Sequence, residues 1–252
     1  MRTIKLSIQY DGSLFFGFQR QKNVMTIQEL IETAIHKLYK RPIKVQYAGR
    51  TDRGVHAKCQ VVVYNDEGKI PLEPLKQIIN KKLGFPLVID IEETHSTFDP
   101  RRDALFREYE YWMYEGKQNI FLDRYLLYVQ NIQLDLMQEC AESLAGIKDC
   151  RNLCTEAKQY KNTKRIINKA DLKKTTLDFL GYKKTAYRFA INANSFLQHM
   201  VRKTIGLMLE VNNKKLSLEQ FKQIVDGKLT YKWPPAPAKA LFLSEIGYKG
   251  RK

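Results

Sequence analysis

The order in which hydrophobic periods follow one another over residues 2–93 constrains this chain more than any other feature. Ile4, Leu6, Ile8 and Tyr10 alternate, which predicts a strand over residues 2–10. Asp11-Gly12-Ser13 then supplies turn chemistry. Thr26 and Glu29 have the spacing of a capping box. The helix it opens runs to about Tyr39, with Ile27, Leu30, Ile31, Ala34, Ile35 and Leu38 on one stripe. Strands over 43–48 and 60–64 flank a polar loop, Pro71 opens a helix to about Leu83, and residues 87–93 read as a strand. The order β-α-β-β-α-β is that of an RRM-like or ferredoxin-like unit with an antiparallel sheet.

The second half repeats this order without repeating the sequence. Strand character over 105–115 is followed by a helix over 134–145, and residues 164–179 and 183–192 form a hairpin turning at Gly181. A longer helix is expected from Phe196 to Val211. Ser217 and Gln220 form a second capping box for a short helix ending at Gly227, and the last strand covers 241–248. The expectation is an α+β protein of two such units, an N-terminal domain over 1–104 and a C-terminal α+β domain over 105–252.

Forty-three Lys and Arg against 27 Asp and Glu give a net charge of +16, most simply read as a surface for a polyanion, of which nucleic acid is the commonest. No stretch approaches the roughly 20 apolar residues of a membrane span. The first residues alternate like a strand and lack the apolar run of a signal peptide, so a cytoplasmic protein is expected. Cys59, Cys140, Cys150 and Cys154 lack a second ligand pair nearby, which argues for free thiols over a metal site.

The chemistry concentrates in one loop. Gly49-Arg50-Thr51-Asp52-Arg53-Gly54-Val55-His56 sets one carboxylate among two arginines, two glycines and a histidine. Glycine permits close backbone approach to a ligand, and a positioned carboxylate serves as nucleophile or base. The competing reading of the spacing alone is a surface turn with an Asp–Arg ion pair, common and worth little.

Residues 48–57 match throughout the signature Ala-Gly-Arg-Thr-Asp-x-Gly-Val-His-Ala, and so the loop resembles that of the TruA-type tRNA pseudouridine synthases. Further motifs follow in the same order. Tyr10-Asp-Gly12 with Phe16-Gly-Phe-Gln19 resembles the family's opening motif, with Phe18 where tryptophan is usual. Thr26-Ile-Gln-Glu29 resembles the start of its first helix, and Phe98 followed by Arg107-Glu-Tyr109-Glu-Tyr111 the strand into its second domain. Phe196-Leu-Gln-His-Met-Val-Arg202, with Gly206, resembles the helix that supplies an active-site arginine. The resemblance implies the pseudouridine synthase fold and isomerisation of uridine to pseudouridine in the tRNA anticodon stem-loop, at positions 38 to 40. It makes Asp52 the nucleophile, by attack at ribose C1′ or at uracil C6, and implies no metal or organic cofactor. It also implies a homodimer gripping tRNA across both subunits, with no membrane partner.

Around Asp52, the resemblance assigns Tyr109 to the uracil pocket as a proton relay at C5, although phenols ionise too high to act unaided as bases at neutral pH. Arg107, Tyr109 and Tyr111 alternate and share one strand face, where aromatic rings either stack on a base or simply pack. Arg202 is implied to pair with Asp52, and Arg50 to hold the flipped nucleotide. By spacing alone, Gly206 leaves room for another element to approach Arg202, and a solvated arginine is the plainer reading. His56 reads as a loop-ordering hydrogen bond. Residues 158–174 carry seven basic side chains against one acid, with Lys161, Lys164 and Arg165 the candidates for RNA backbone contact. The chain departs from the family pattern at Phe18, at Lys148-Asp149-Cys150 in place of His-Asp-Phe, and at Ala240 in place of glycine. The alternative of a different class is a non-catalytic tandem RRM-like RNA-binding protein, which would lack the Asp–Tyr–Arg set. A metal-dependent nuclease or deaminase would need ligand clusters that the sequence does not contain.

Overall fold

In the computed structural model, which describes residues 1–249, the alternation of residues 2–10 becomes strand β1 (Arg2–Tyr10), with Ile4, Leu6 and Ile8 fully buried. The chain folds as two compact units, one of Met1–Leu105 joined by the chain from Phe242 on, the other of Phe106–Leu241. The first unit continues with α1 (Ile27–Tyr39), β2 (Gln46–Tyr47), β3 (His56–Asp66), α2 (Leu72–Leu83) and β4 (Leu87–Thr94). β1 lies between β3 and β4, antiparallel to both, and β2 adds to β3. The helices pack on each other, α2 also on β4, and bury Ile27, Ile31, Ile35, Leu75 and Ile79.

Two expectations fail here for identifiable reasons. Thr26 is the N-cap of α1 but its hydroxyl is fully buried and unpartnered, so no capping box forms. The first amides of the helix are satisfied by backbone instead: Ile27 N donates to Gly17 O (3.3 Å) and Gln28 N to Phe18 O (2.9 Å). Glu29, freed from the box, pairs with Arg20 at 3.2 Å. The strand expected over 43–48 shrinks to Gln46–Tyr47, because the Val45 amide donates to the Glu32 carboxylate at 3.2 Å rather than to a neighbouring strand.

The second unit contains β5 (Ala104–Tyr114), β6 (Leu127–Tyr128), α3 (Leu134–Glu142), β7 (Gly146–Asp149), β8 (Lys164–Phe179), β9 (Tyr182–Ala193), α4 (Met200–Asn212) and α5 (Leu218–Val225). Its sheet runs β5-β9-β8-β7, all antiparallel, with β6 parallel to β5. The hairpin turns at Leu180 and Gly181, both at positive φ (52° and 78°), as a two-residue turn of matching twist requires. The Ser217–Gln220 capping box forms as expected. The α4 helix begins at Met200 rather than Phe196. His199 takes a left-handed conformation (φ 60°), and the residues before it are bonded elsewhere: Gln198 N to Tyr160 OH (3.1 Å) and Thr155 N to Gln198 O (3.3 Å). β7, where the sequence reading placed no strand, starts at Gly146 (φ 104°) and cuts short the helix expected to Ala145.

The last strand, β10 (Leu241–Tyr248), returns to the first unit and lies parallel to β3, with Phe242 opposite His56. The protein is thus α+β, built on mostly antiparallel sheets.

Candidate active site

The loop between β2 and β3 is fixed by bonds to its surroundings. Ala48 N donates to Val61 O (3.0 Å) and Gln60 Nε2 to Gly49 O (2.8 Å). Thr51 is held twice: its hydroxyl lies 2.8 Å from Tyr10 OH, and its carbonyl accepts from Phe18 N at 3.1 Å. Val55 N closes the turn on Asp52 O (3.1 Å), with Gly54 at φ 80°. Burial lifts the Tyr10 phenol to about 12, so its hydroxyl stays protonated at neutral pH.

The other wall of the loop is the 11–18 segment. A Cβ on Gly12 would lie 1.9 Å from Val55 O, and one on Gly17 (φ 92°) would lie 2.9 Å from Thr51 O. These glycines therefore allow two backbones to lie in contact beneath Asp52. Phe18 is fully buried, with ring centroids 4.6 Å from Tyr47 and 6.3 Å from Tyr10. His56 is buried and stacked on Phe242 at 4.6 Å. Its Nδ1 lies 3.1 Å from both the Gly12 amide and the Asp11 carboxylate, so the ring ties the 11–12 turn to the start of β3 in either tautomer. Asp52 itself is half-buried, while Arg50 and Arg53 are exposed. The Arg53 guanidinium sits 4.1 Å from the Phe16 ring centre.

In the second unit, Arg107, Tyr109 and Tyr111 share one buried face of β5. Tyr109 meets Phe196 edge-on (5.0 Å, 83°). Arg107 Nη1 donates to Asn194 O at 3.0 Å, and Tyr111 OH donates to Pro237 O at 3.0 Å. Burial raises the Tyr111 phenol, with the Arg202 charge acting in the opposite direction.

Arg202 is half-buried on α4, and the room expected beside Gly206 is filled by the 233–236 segment. A Cβ on Gly206 would lie 2.4 Å from Pro234 O. That approach lets Arg202 Nε donate to Ala236 O (2.8 Å) while Ala236 N donates to Arg202 O (2.9 Å). One turn face is thereby locked to a proline-rich loop. Lys203 caps the same loop from Trp233, its ammonium 3.8 Å from the ring centre, and burial lowers its pKa.

Of the basic segment, Lys158, Lys161, Lys164, Lys169, Lys173 and Lys174 are exposed. Arg165 is not presented in the same way, since its Nη1 donates to the carbonyls of Asn162 (3.0 Å) and Lys164 (2.7 Å). The departure at 148–150 is structural. Lys148 pairs with Asp226 at 3.2 Å and Cys150 is fully buried. Hydrogen bonds from Arg151 above all hold the Asp149 carboxyl at about 2. Among the described residues no group of three or more His, Cys, Asp or Glu is placed to hold a metal ion, and no helix is long and apolar enough to cross a membrane.

A family model described as tRNA pseudouridine synthase matches residues 6–96 and 140–249. The chain belongs to the tRNA pseudouridine synthase family. It is 36% identical over 251 residues to the tRNA pseudouridine synthase A of Phytoplasma mali (strain AT), covering 97% of this chain and 98% of that one. The enzyme of the same name from Thermodesulfovibrio yellowstonii is 33% identical over 254 residues, covering 98% and 100%. That of Borrelia turicatae is 34% identical over 255 residues, covering 99% and 100%. The protein is accordingly an isomerase of uridine in tRNA. The Asp52 loop and Arg202 fall inside the matched stretches of this synthase, whereas Tyr109 lies in the 97–139 interval between them.

The sequence marked Tyr10, Gly12 and Gly17 as part of a motif but not as the residues that shape the synthase loop. The signal was present as two glycines bracketing an aromatic run, and only their Cβ clearances reveal that they face residues 51–55.

Proposed function

We propose that this synthase acts on the anticodon stem-loop of tRNA, at position 38, 39 and/or 40, with Asp52 as nucleophile and Arg50, Tyr109 and Arg202 as substrate-binding residues. The observation supporting this most directly is a half-buried carboxylate on a loop whose backbone is bonded to Val61, Gln60 and Phe18 and whose Thr51 hydroxyl is bonded to Tyr10. Such fixation keeps a nucleophile in register without reorganisation during the reaction. In the C1′ route an Asp52 oxygen bonds to C1′ as the C1′–N1 bond breaks and uracil leaves as an anion. The base turns, C5 bonds to C1′ as the ester bond to Asp52 breaks, the C5 proton departs and N1 gains a proton. No net oxidation occurs, and the Tyr109 hydroxyl is the group assigned to move the C5 proton. In the alternative route the same carboxylate adds at uracil C6.

Exposed Lys161 and Lys164, with Arg165 in a lesser part, contact the RNA backbone in this reading, which makes binding salt-dependent. The N-terminal domain carries the nucleophile, the C-terminal domain supplies the uracil-binding residues, and the enzyme works in the cytoplasm as a homodimer. Light scattering tests the last point, a dimer giving twice the chain mass.

The test of the whole reading uses unmodified tRNA transcripts carrying uridine at 38, 39 or 40, with carbodiimide primer extension after incubation. Stops at one or more of these positions are expected. Tight binding with no stop at any of them would overturn the assignment of site.

A further inference from the structure

Arg53 and Phe16 come from different segments, yet they meet on the outer side of the loop that carries Asp52. The guanidinium carbon lies 4.1 Å from the ring centre, and both side chains remain open to solvent, Phe16 at 40% exposure. An aromatic ring left that open, against the residue that follows a half-buried carboxylate, is not needed for the core. Nor is it on a loose loop. Phe16 N donates to Met25 O (3.0 Å), Phe16 O accepts from Gln21 Nε2 (2.8 Å), and Gly17 next to it is pressed against the backbone of residues 51–53. Among the described residues no carboxylate pairs with Arg53. The pair is therefore held in place, with the Arg53 side chain lying over the ring and exposed to solvent.

We infer that the Phe16–Arg53 stack receives the nucleotide flanking the target uridine. A base extracted for chemistry leaves its neighbours unstacked, and a planar cation on an aromatic ring offers a stacking face together with donors for the adjacent phosphate. The site takes the flanking base by its π-face, so it tolerates any base but not the absence of one. Arg53 and Phe16 are positioning residues here, since neither touches a reacting atom. The inference rests on the proposed anticodon stem-loop reaction.

Two readouts separate the inference from that reaction. Stem-loop RNA carrying 2-aminopurine on one side or the other of the target uridine reports stacking by fluorescence whether or not catalysis occurs. Quenching on binding is expected at one of the two positions, with loss of the quench in Phe16→Ala and Arg53→Ala and its retention in Phe16→Tyr. In single turnover, each alanine variant should lose about tenfold in pseudouridine formation on the intact stem-loop. With an abasic site at the flanking position the parent should fall by the same factor, and the variants should fall no further. Equal losses for the variants on intact and abasic RNA, or no quench at either position, would overturn the inference. Quenching without any pseudouridine would leave the stacking site standing and sink the assigned reaction instead.

Discussion

The Asp52 loop and the Arg202 helix are each held by a glycine pressed against another stretch of backbone, but the two contacts differ in what surrounds the glycine. Gly12 lies in a turn, its missing Cβ 1.9 Å from Val55 O, with further Val55 backbone atoms at 2.4 and 3.0 Å. Gly206 lies inside α4, its missing Cβ 2.4 Å from Pro234 O and 3.1 Å from the Trp233 ring. At the first contact a methyl group has nowhere to go and gains nothing. At the second it brings helix propensity, roughly 1 kcal/mol over glycine, which offsets part of the clash with Pro234 O. The contact under Asp52 is thus the less tolerant of a side chain.

The largest effect that bears on this difference belongs to Gly12→Ala. It should lower unfolding stability by about 3 kcal/mol, read as a fall in the urea midpoint without change in slope. Gly206→Ala should cost less, about 1 kcal/mol net, while breaking the Arg202–Ala236 contact. It should therefore slow pseudouridine formation out of proportion to its effect on stability. Equal stability losses in the two variants would erase the distinction.

Tyr10→Phe sharpens the same comparison by removing the hydroxyl that holds Thr51. At neutral pH the loss should be about 1 kcal/mol. Because burial raises this phenol from its usual 10 to about 12, the parent's folded state holds the proton more tightly than the unfolded chain. That stability is fully present below pH 10 and lost as pH climbs towards 12, about 1.4 kcal/mol per pH unit. The gap between parent and variant, followed by denaturation at rising pH, should close and then change sign over that window, since a loss of about 1.4 kcal/mol per pH unit exceeds it. A gap constant from pH 7 to 12 would mean that Tyr10 is not the group responsible.

The smallest effect expected is at Thr26. Its hydroxyl is buried without a partner, so Thr26→Val should change stability by no more than about 0.5 kcal/mol, whereas losing a working N-cap costs about 1 kcal/mol.

Thr26 also illustrates what the sequence could and could not convey. The spacing of a capping box was legible at both Thr26–Glu29 and Ser217–Gln220, and only the second forms. The first fails because the Gly17 and Phe18 carbonyls reach the helix end, a contact between segments that no local pattern records. The same holds for α4, whose start shifts to Met200 because Thr155 and Tyr160 bind the residues before it. Strands, the hairpin turn and the polar loop were readable because they depend on period and turn chemistry within one stretch. The positions of Asp52 and Arg202 along the chain were readable from motifs. What fixes each of them, Gly12 against Val55 and Gly206 against Pro234, was hidden, because a glycine shows in sequence only that space is needed, not what fills it.

The most direct test of the proposed role of Asp52 is release of tritium from tRNA labelled at uridine C5, with the parent compared with Asp52→Asn. The substitution keeps the side-chain shape and the backbone acceptor for Val55 N. The parent should release tritium as pseudouridine forms. The variant should fold to the same thermal midpoint, within a few degrees, and release none above background. Release by a folded Asp52→Asn protein at the parental rate would contradict the account, because the C5 proton would then be leaving without the carboxylate.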